Sequence, residues 1–382
     1  MCMSVSVRIR DYFAELTDPR RDQSKVVYPL INVVAIALCA VMSGADDFVA
    51  IAMWARENRG WLSTFLDLSR DPKNDGIPSH DRFNAIFAAI KPAEFEKCFL
   101  SWITALHEIT AGQIVALDGK TLRRSFDAAS GKAPLHMVSA WATANHVCLG
   151  QVSTDAKSNE ITAIPKLLEI LELSGCLVTI DAMGCQTDIA DAIVDADADY
   201  VLAVKGNQPT LHDGIVDHFV DHMEDDFART KVSQHCTEEK THGRRTKREY
   251  FVCAVPDELP SRKRWRKLTA IGMTINYTTC KGKDTSELRV YILSRKLTGK
   301  QFAAAVRGHW SIENCLHWQL DVTFGEDQSR IRKGHADANF SLVRRAALSL
   351  LKNNHTQKVG IKNKRLCAAA SDAYRMEVLF GP

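Results

Sequence analysis

Short apolar runs that end at an acidic residue recur in the middle of the chain, and they constrain its fold more than any other feature. Ile114-Val-Ala-Leu-Asp-Gly reaches Asp118, and Cys176-Leu-Val-Thr-Ile is followed directly by Asp181. A third apolar run extends from Tyr200 to Val204. Such runs are typical of buried strands, and amphipathic helical segments alternate with them. The middle of the chain therefore predicts an α/β fold, a mixed sheet flanked by helices.

Four regions of the chain differ in pattern. Residues 1–110 have helical periodicity, including an apolar helix over Leu30–Met42, and predict a helical N-terminal domain that binds DNA. Two of its short helices fit a helix-turn-helix, although any small helical bundle produces the same pattern. Residues 111–206 predict the first part of the α/β core, 207–299 a β-rich insertion, and 300–382 helices that complete the core.

Composition excludes several classes of protein. With 46% hydrophobic and 25% charged residues, the chain can bury a sizeable core, unlike a disordered or collagen-like chain. The 11 cysteines form no Cys-x-x-Cys pair, so we expect reduced thiols rather than a zinc knuckle or a disulfide framework. The N-terminus lacks the apolar run of a signal peptide, and Leu30–Met42 is shorter than the ~20 residues of a membrane-spanning helix. A cytoplasmic location is therefore expected.

Asp118 and Asp181 are candidate metal ligands because each closes a predicted strand. If the two strands are neighbours, both carboxylates emerge at one edge of the sheet and repel each other unless a cation lies between them. Hard divalent cations such as Mg²⁺ prefer oxygen ligands. Either residue by itself is more typical of a turn or a helix N-cap, and for the pair this structural alternative stays open.

A third acidic candidate lies in the helical motif from Arg307 to Trp318. On a regular helix His309, Glu313 and His317 are spaced four residues apart and share a face. A glutamate on that face could reach over the sheet edge and complete a three-carboxylate metal site. A zinc site made of the same three residues is weaker, because the first and last lie about 12 Å apart along a helix. A helix that packs on the core with a polar rim is the structural alternative.

Five ordered blocks of the sequence resemble bacterial insertion-sequence transposases. The resemblance is to the ISAs family, which includes the H-repeat-associated proteins, and it extends from about residue 8 to 375. The blocks are Ala116-Leu-Asp-Gly-Lys-Thr-Leu-Arg, Lys157-Ser-Asn-Glu-Ile-Thr-Ala-Ile-Pro, Thr179-Ile-Asp-Ala-Met-Gly-Cys-Gln, Leu202-Ala-Val-Lys-Gly-Asn-Gln and His309-Trp-Ser-Ile-Glu-Asn-Cys-Leu-His-Trp-Gln-Leu-Asp-Val.

This resemblance implies an RNase H-like core with an Asp-Asp-Glu triad, which by motif position is Asp118, Asp181 and Glu313. It also implies that the β-rich insertion precedes the Glu-bearing helix. The triad would hold two Mg²⁺ ions, for which Mn²⁺ can substitute, and Asp118 would bridge them. Phosphodiester hydrolysis at a transposon end would expose a 3′-OH, which would then attack the target strand. Related hairpin-forming families have Tyr, Arg and Lys around the Glu, where this chain has Val306, His309 and Leu320.

Candidate DNA contacts come from local positive charge, because the formal net charge is only +3. Basic residues concentrate in two stretches of the insertion, over 240–248 and 262–267, where strands could press on a phosphate backbone and a tryptophan could stack on an unpaired base. For each candidate, an exposed surface residue is the structural alternative. The candidates are Lys120, Arg123, Arg124, Lys205, Asn207, Arg244, Arg245, Arg262, Arg264, Trp265, His309, Trp310 and Arg330, with Arg332, Lys333, Arg344 and Arg345 adding charge nearby.

The leading hypothesis is therefore a cut-and-paste DNA transposase. Its expected partners are double-stranded DNA, as transposon ends and as target, and a second copy of the chain in a homodimer on DNA. The expected location is the bacterial nucleoid in the cytoplasm. Two alternatives stay open: a domesticated relative that binds DNA without cutting it, and a Mg²⁺-dependent nuclease without strand transfer.

Overall fold

The computed structural model divides the chain into two compact units. Unit 1 comprises Met1–Ile109, Gly119–Asn159 and Glu313–Pro382, and unit 2 comprises Thr110–Asp118 and Glu160–Ile312. The residues that the structure describes are 9–22, 24, 26–68, 75–106, 112–122, 124–125, 135–154, 160–241 and 243–381.

Helices make up most of unit 1. The apolar helix over Leu30–Met42 is confirmed with both ends as predicted, and it is buried along almost its whole length. Ser79 caps the helix over His80–Ala89. Its hydroxyl accepts a hydrogen bond from the backbone N–H of Arg82, which satisfies one of the unpaired N–H groups of the first turn. The N-terminal helices are α1 Ile9–Phe13, α2 Leu30–Met42, α3 Phe48–Glu57, α4 Arg59–Leu62, α5 His80–Ala89 and α6 Pro92–Leu106.

The C-terminal part of unit 1 supplies a central helix. Helix α12, Ala336–Asn353, is buried over most of its length, and α2, α5 and α6 pack against it. Its Phe340 contacts Phe48 of α3 and Phe87 of α5 edge to face. The other helices are α11 Trp318–Val322, α13 Ile361–Ala370 and α14 Asp372–Phe380; the strands β2 Leu135–Ala142 and β3 Val147–Thr154 form the predicted hairpin.

Unit 2 is built on a mixed sheet. Its strand order is β1-β4-β5-β9-β8-β7-β6, with β1, β4 and β5 parallel and the others antiparallel to their neighbours. The strands are β1 Ile114–Leu122, which continues into unit 1 beside β2, β4 Leu177–Ile180, β5 Asp199–Val204, β6 Val232–Thr241, β7 Arg244–Ala254, β8 Ala270–Cys280 and β9 Lys283–Leu293. The helices are α7 Glu160–Glu169, α8 Thr187–Asp195, α9 Pro209–Met223 and α10 Gly299–Ser311.

Residues 207–299 contain the predicted strands and two elements that the sequence interpretation missed. The acidic stretch at its start belongs to helix α9, whose Leu211, Ile215 and Phe219 are buried at four-residue spacing. The edge strand β6 was also missed, because few of its residues are buried and its apolar alternation is weak. In the part of the chain that the structure describes, no helix is long and apolar enough to cross a membrane.

Candidate active site

Asp118 and Asp181 follow the last paired residues of two adjacent parallel strands. In the β1/β4 register Leu117 lies opposite Ile180, so the next residue on each strand is one of the two aspartates. Both are half-buried. The expectation that these two strands are neighbours is confirmed, and parallel strands with this register bring both aspartates to the same edge of the sheet.

The loop after Asp181 is held in place by its own hydrogen bonds and by the next loop. The Asp181 carboxylate accepts from the backbone N–H groups of Met183 at 3.0 Å and Gly184 at 3.4 Å. The side-chain amide of Asn207 donates to the Ala182 carbonyl at 2.7 Å, and Gln208 donates to the Cys185 carbonyl at 3.1 Å. Asn207 was predicted to hold DNA, which stays a prediction; in the structure its amide also holds this loop.

A glycine is required inside this loop. A Cβ on Gly184 would lie 2.3 Å from Ile180 Cγ2, a contact that forces the loop away from β4. If Asp181 is a metal ligand for DNA cleavage, as the sequence predicts, Gly184→Ala is expected to reduce the cleavage rate by at least ~10-fold, since small displacements of a catalytic group lower rates strongly. Gly206→Ala, in the neighbouring loop, is the matched control because a Cβ there meets nothing within 4 Å. Cleavage rates compare the two; equal rates would contradict a geometric requirement at Gly184.

Glu313 lies at the start of an unusual helical turn. Helix α10 gives way to a π-helical segment, Ile312–His317, and π-helical turns are frequent at functional sites. Glu313 is exposed. Four residues earlier, His309 Nδ1 lies 3.3 Å from the Oγ1 of Thr179, which precedes Asp181 on β4. Burial lowers the pKa of the His309 imidazole, although the charge of Asp181 acts in the opposite direction.

His309, Glu313 and His317 do not share the single helix face that the sequence predicts, because the α-helix changes to a π-helix after Ser311. In a π-helix the hydrogen bonds connect residues five apart, so a four-residue spacing no longer keeps side chains in line. His317 is instead surrounded by buried charged residues. Burial, followed by the charges of Arg345 and Lys120, lowers the pKa of His317 to about 3. A zinc site from these three residues has no support in this arrangement.

Glu313, the third carboxylate of the predicted triad, is not part of a preformed metal site among the described residues. Among the described residues, no group of three or more His, Cys, Asp or Glu side chains is arranged to hold a metal ion. The structure therefore pairs the two strand ends that carry Asp118 and Asp181, and the complete triad with Glu313 stays a prediction.

Most of the predicted DNA contacts are exposed. Arg245 forms an exposed ion pair with Glu238, and the Arg289 guanidinium lies 4.5 Å from the centre of the Trp310 ring. Arg262 is half-buried and paired with Asp257. The exposed candidates are Arg124, Lys205, Asn207, Arg244, Arg245, Arg264, Trp310 and Arg330, while Arg123 lies outside the described residues.

Four predicted contacts are corrected by their burial. Trp265 is only 4% exposed, so its ring belongs to the core and is not available to stack on a base. Lys120 is 8% exposed and its ammonium group is paired with carboxylates, which does not fit a phosphate contact. Arg344 and Arg345 on α12 are also buried, and their guanidinium groups donate to partners inside the protein, Arg344 to the Asp46 carbonyl and Arg345 to the Glu326 carboxylate.

The polar residues that sequence reasoning missed are those behind the site. Gln208 stands in the same motif as Asn207, and Asp321 stands near the end of the Glu313 block, but neither was singled out; Glu326 lies beyond that block. Lys120 was misread because β1 was expected to end at Asp118, whereas it continues to Leu122. On a continuing strand, residues 118 and 120 face the same side, a signal that could have predicted the burial of this lysine.

Comparisons with known proteins identify the family of this chain. A family profile described as "Transposase DDE domain" matches residues 110–350, and one described as "DDE_Tnp_1-associated" matches residues 10–103. The chain therefore belongs to the transposase DDE domain family.

Its relatives include H-repeat-associated proteins, so the resemblance seen in the sequence blocks is confirmed. "Putative transposase YncI" of Escherichia coli O157:H7 is 42% identical, over 97% of this chain and 93% of the relative. "H repeat-associated putative transposase YhhI" of Escherichia coli K12 is 36% identical, over 94% of this chain and 95% of the relative. A solved piggyBac transposase synaptic complex with hairpin DNA is 10% identical, with a TM-score of 0.45, over 100% of this chain and 80% of that chain. That TM-score is too low to establish a shared fold.

Proposed function

We propose that this chain is a metal-dependent DNA transposase that cleaves phosphodiester bonds at the ends of its element. The exposed 3′-OH would then be joined to target DNA, in a cut-and-paste reaction. The observation that carries this proposal is the β1/β4 register: in a member of this family, Asp118 and Asp181 directly follow the last pair of residues that joins the two strands.

The proposed catalytic core is RNase H-like. In support, β1, β4 and β5 are parallel neighbours in unit 2, and the hairpin β2/β3 adjoins the continuation of β1 in unit 1. Helices α7 and α8 follow the hairpin and β4 in chain order, as in an alternating α/β core. The two long hairpins β6/β7 and β8/β9 then extend this sheet before the Glu-bearing helix.

The proposed metal ligands are Asp118, Asp181 and Glu313, and the proposed cofactor is Mg²⁺, two ions per site. Their donor chemistry fits, because carboxylate oxygens are the ligands that Mg²⁺ prefers and two acidic strand ends at one sheet edge repel each other without a cation. When bound, the ions supply an activated attacking oxygen and stabilise the leaving oxygen. The protein's own part is to hold the carboxylates, and the hydrogen bonds from Met183 and Gly184 do this for Asp181.

The proposed DNA contacts are the exposed basic residues near the hairpins and strand ends. Arg244 and Arg245 lie at the turn between β6 and β7, on a part of the sheet where most side chains are exposed. A β-ribbon with such a charged end can lie along a phosphate backbone. Lys205 is exposed in the loop that contacts the Asp181 loop, so it would bring positive charge close to the scissile phosphate. Two element ends must be cut together, so we propose a homodimer on DNA.

The test is incubation of the purified protein with Mg²⁺ and linear DNA that carries the candidate element ends. We expect cleavage at the ends followed by joining, and binding that weakens by about 10³-fold between roughly 50 and 200 mM salt if six or more phosphates are contacted. Cleavage without joining would favour the nuclease alternative. Binding without cleavage would favour the domesticated DNA-binding protein and overturn the catalytic proposal.

A further inference from the structure

A buried ionic cluster lies two residues beyond Asp118 on the same strand. The Lys120 ammonium lies 2.9 Å from Glu326 Oε2 and also contacts Asp321. The other Glu326 oxygen accepts from the Arg345 guanidinium at 2.9 Å and from the Ser341 hydroxyl at 2.8 Å. We call Lys120, Asp321, Glu326 and Arg345 the ionic cluster; all four belong to unit 1.

The central carboxylate of the cluster, Glu326, is charged although it is completely buried. The Glu326 side chain is 0% exposed and that of Arg345 is 1% exposed. Burial alone would raise the pKa of Glu326, but the charges of Arg345 and Lys120 outweigh burial and hold the pKa well below its ordinary value. Hydrophobic side chains of similar volume would often be as stable as a buried ion pair, so stability by itself does not account for four charges here.

Three members of the cluster lie on or just beyond the segments that carry two of the proposed metal ligands. Lys120 and Asp118 project from the same face of β1, because side chains alternate along a strand. Asp321 on α11 and Glu326 follow the π-helical segment Ile312–His317, which contains Glu313. Lys120 therefore ties the end of β1 to the stretch of chain that leads away from Glu313.

We propose that Lys120 is a positioning residue: through its ion pairs with Asp321 and Glu326 it holds the C-terminal part of β1, and with it the carboxylate of Asp118, in place for metal binding. This inference rests on the proposed function and extends it to a group behind the carboxylates. Residues that orient metal ligands from behind typically change metal affinity or activity by about 10–100-fold when they are replaced.

The test compares two buried lysines. Lys120→Met removes the cluster cation, and Lys364→Met is the matched control. Lys364 is 6% exposed in the same unit, and its ammonium donates to the Leu351 carbonyl at 2.8 Å, away from the cluster. The measurement is the Mg²⁺ concentration that gives half of the maximal effect, read once from DNA cleavage and once from the thermal stabilisation of the protein–DNA complex.

We expect Lys120→Met to raise the half-saturating Mg²⁺ concentration by at least ~10-fold in both readouts. Lys120→Arg keeps the positive charge and should bring this concentration most of the way back to the wild-type value. Lys364→Met should leave it unchanged. Asp321→Asn, a half-buried and milder change, should shift it in the same direction and serves if Lys120→Met does not fold. Equal Mg²⁺ dependence for wild type and the Lys120 or Asp321 variant, or an equal shift in Lys364→Met, would overturn the positioning role. A wild-type protein that cleaves no DNA at any Mg²⁺ concentration would instead overturn the proposed function.

Discussion

Replacing Asp118 with asparagine is expected to reduce DNA cleavage by at least about 10³-fold while DNA binding changes less than ~3-fold. The amide keeps the size of the side chain but removes the negative charge that a divalent cation needs, and losing such a ligand removes several kcal/mol of transition-state stabilisation. Binding should persist, because the proposed DNA contacts at Arg244, Lys205 and Arg330 do not include this carboxylate. Single-turnover cleavage and a gel-shift titration on the same DNA measure the two effects.

Asp188→Asn provides the control for this experiment. Asp188 is exposed in the first turn of α8, a few residues after Asp181, so its replacement changes the net charge equally without touching a strand end. Asp181→Asn and Glu313→Gln should behave like Asp118→Asn. If the Asp118→Asn variant cleaved DNA as fast as the Asp188→Asn variant, the assignment of Asp118 as a metal ligand would be wrong. This conclusion would hold however well the Asp188→Asn variant bound DNA.

The second large effect concerns stability. Replacing Glu326 with glutamine is expected to lower the free energy of unfolding by about 3–5 kcal/mol, because it leaves the buried cations of Lys120 and Arg345 without their shared counter-charge. Both cations contact this carboxylate at 2.9 Å. Urea unfolding followed by tryptophan fluorescence gives the free energy change at neutral pH.

An exposed ion pair serves as the control, because it shows how much of the loss of stability is due to the burial of the charges. Glu238 and Arg245 are 3.1 Å apart, but their side chains are 51% and 66% exposed. Glu238→Gln should therefore lower the free energy of unfolding by less than ~1 kcal/mol. A loss for Glu326→Gln that is as small as the loss for Glu238→Gln would show that the cluster does not depend on its central carboxylate.

Local signals predicted the elements that depend on one continuous pattern. Helix α2 has the predicted ends because its continuous apolar run marks them directly. The hairpin β2/β3 and the strand β4 followed from alternation and apolar runs. Helix α9 escaped prediction because its buried Leu211 and Phe219 stand among many acidic and polar residues.

The candidate site was predictable in its acidic residues and not in the residues behind them. A strand that ends in Asp is visible in the sequence, and the register of Leu117 with Ile180 agrees with the expected neighbours. The π-helical turn at Glu313 depends on packing rather than on a local propensity, so no spacing rule could reveal it. The partners of Lys120 lie about 200 residues further along the chain, and such long-range pairing has no local signature.

That long separation also has a consequence for protein synthesis. A ribosome adds about 5–20 residues per second, so the segment from Lys120 to Glu326 takes roughly 10–40 s to emerge. Until then a nascent chain contains a lysine whose counter-ions Asp321 and Glu326 do not yet exist, and its hydrated ammonium opposes closure of the interior around it. A polypeptide that terminates before Glu326 is therefore expected to leave this interior open and to be degraded by proteases.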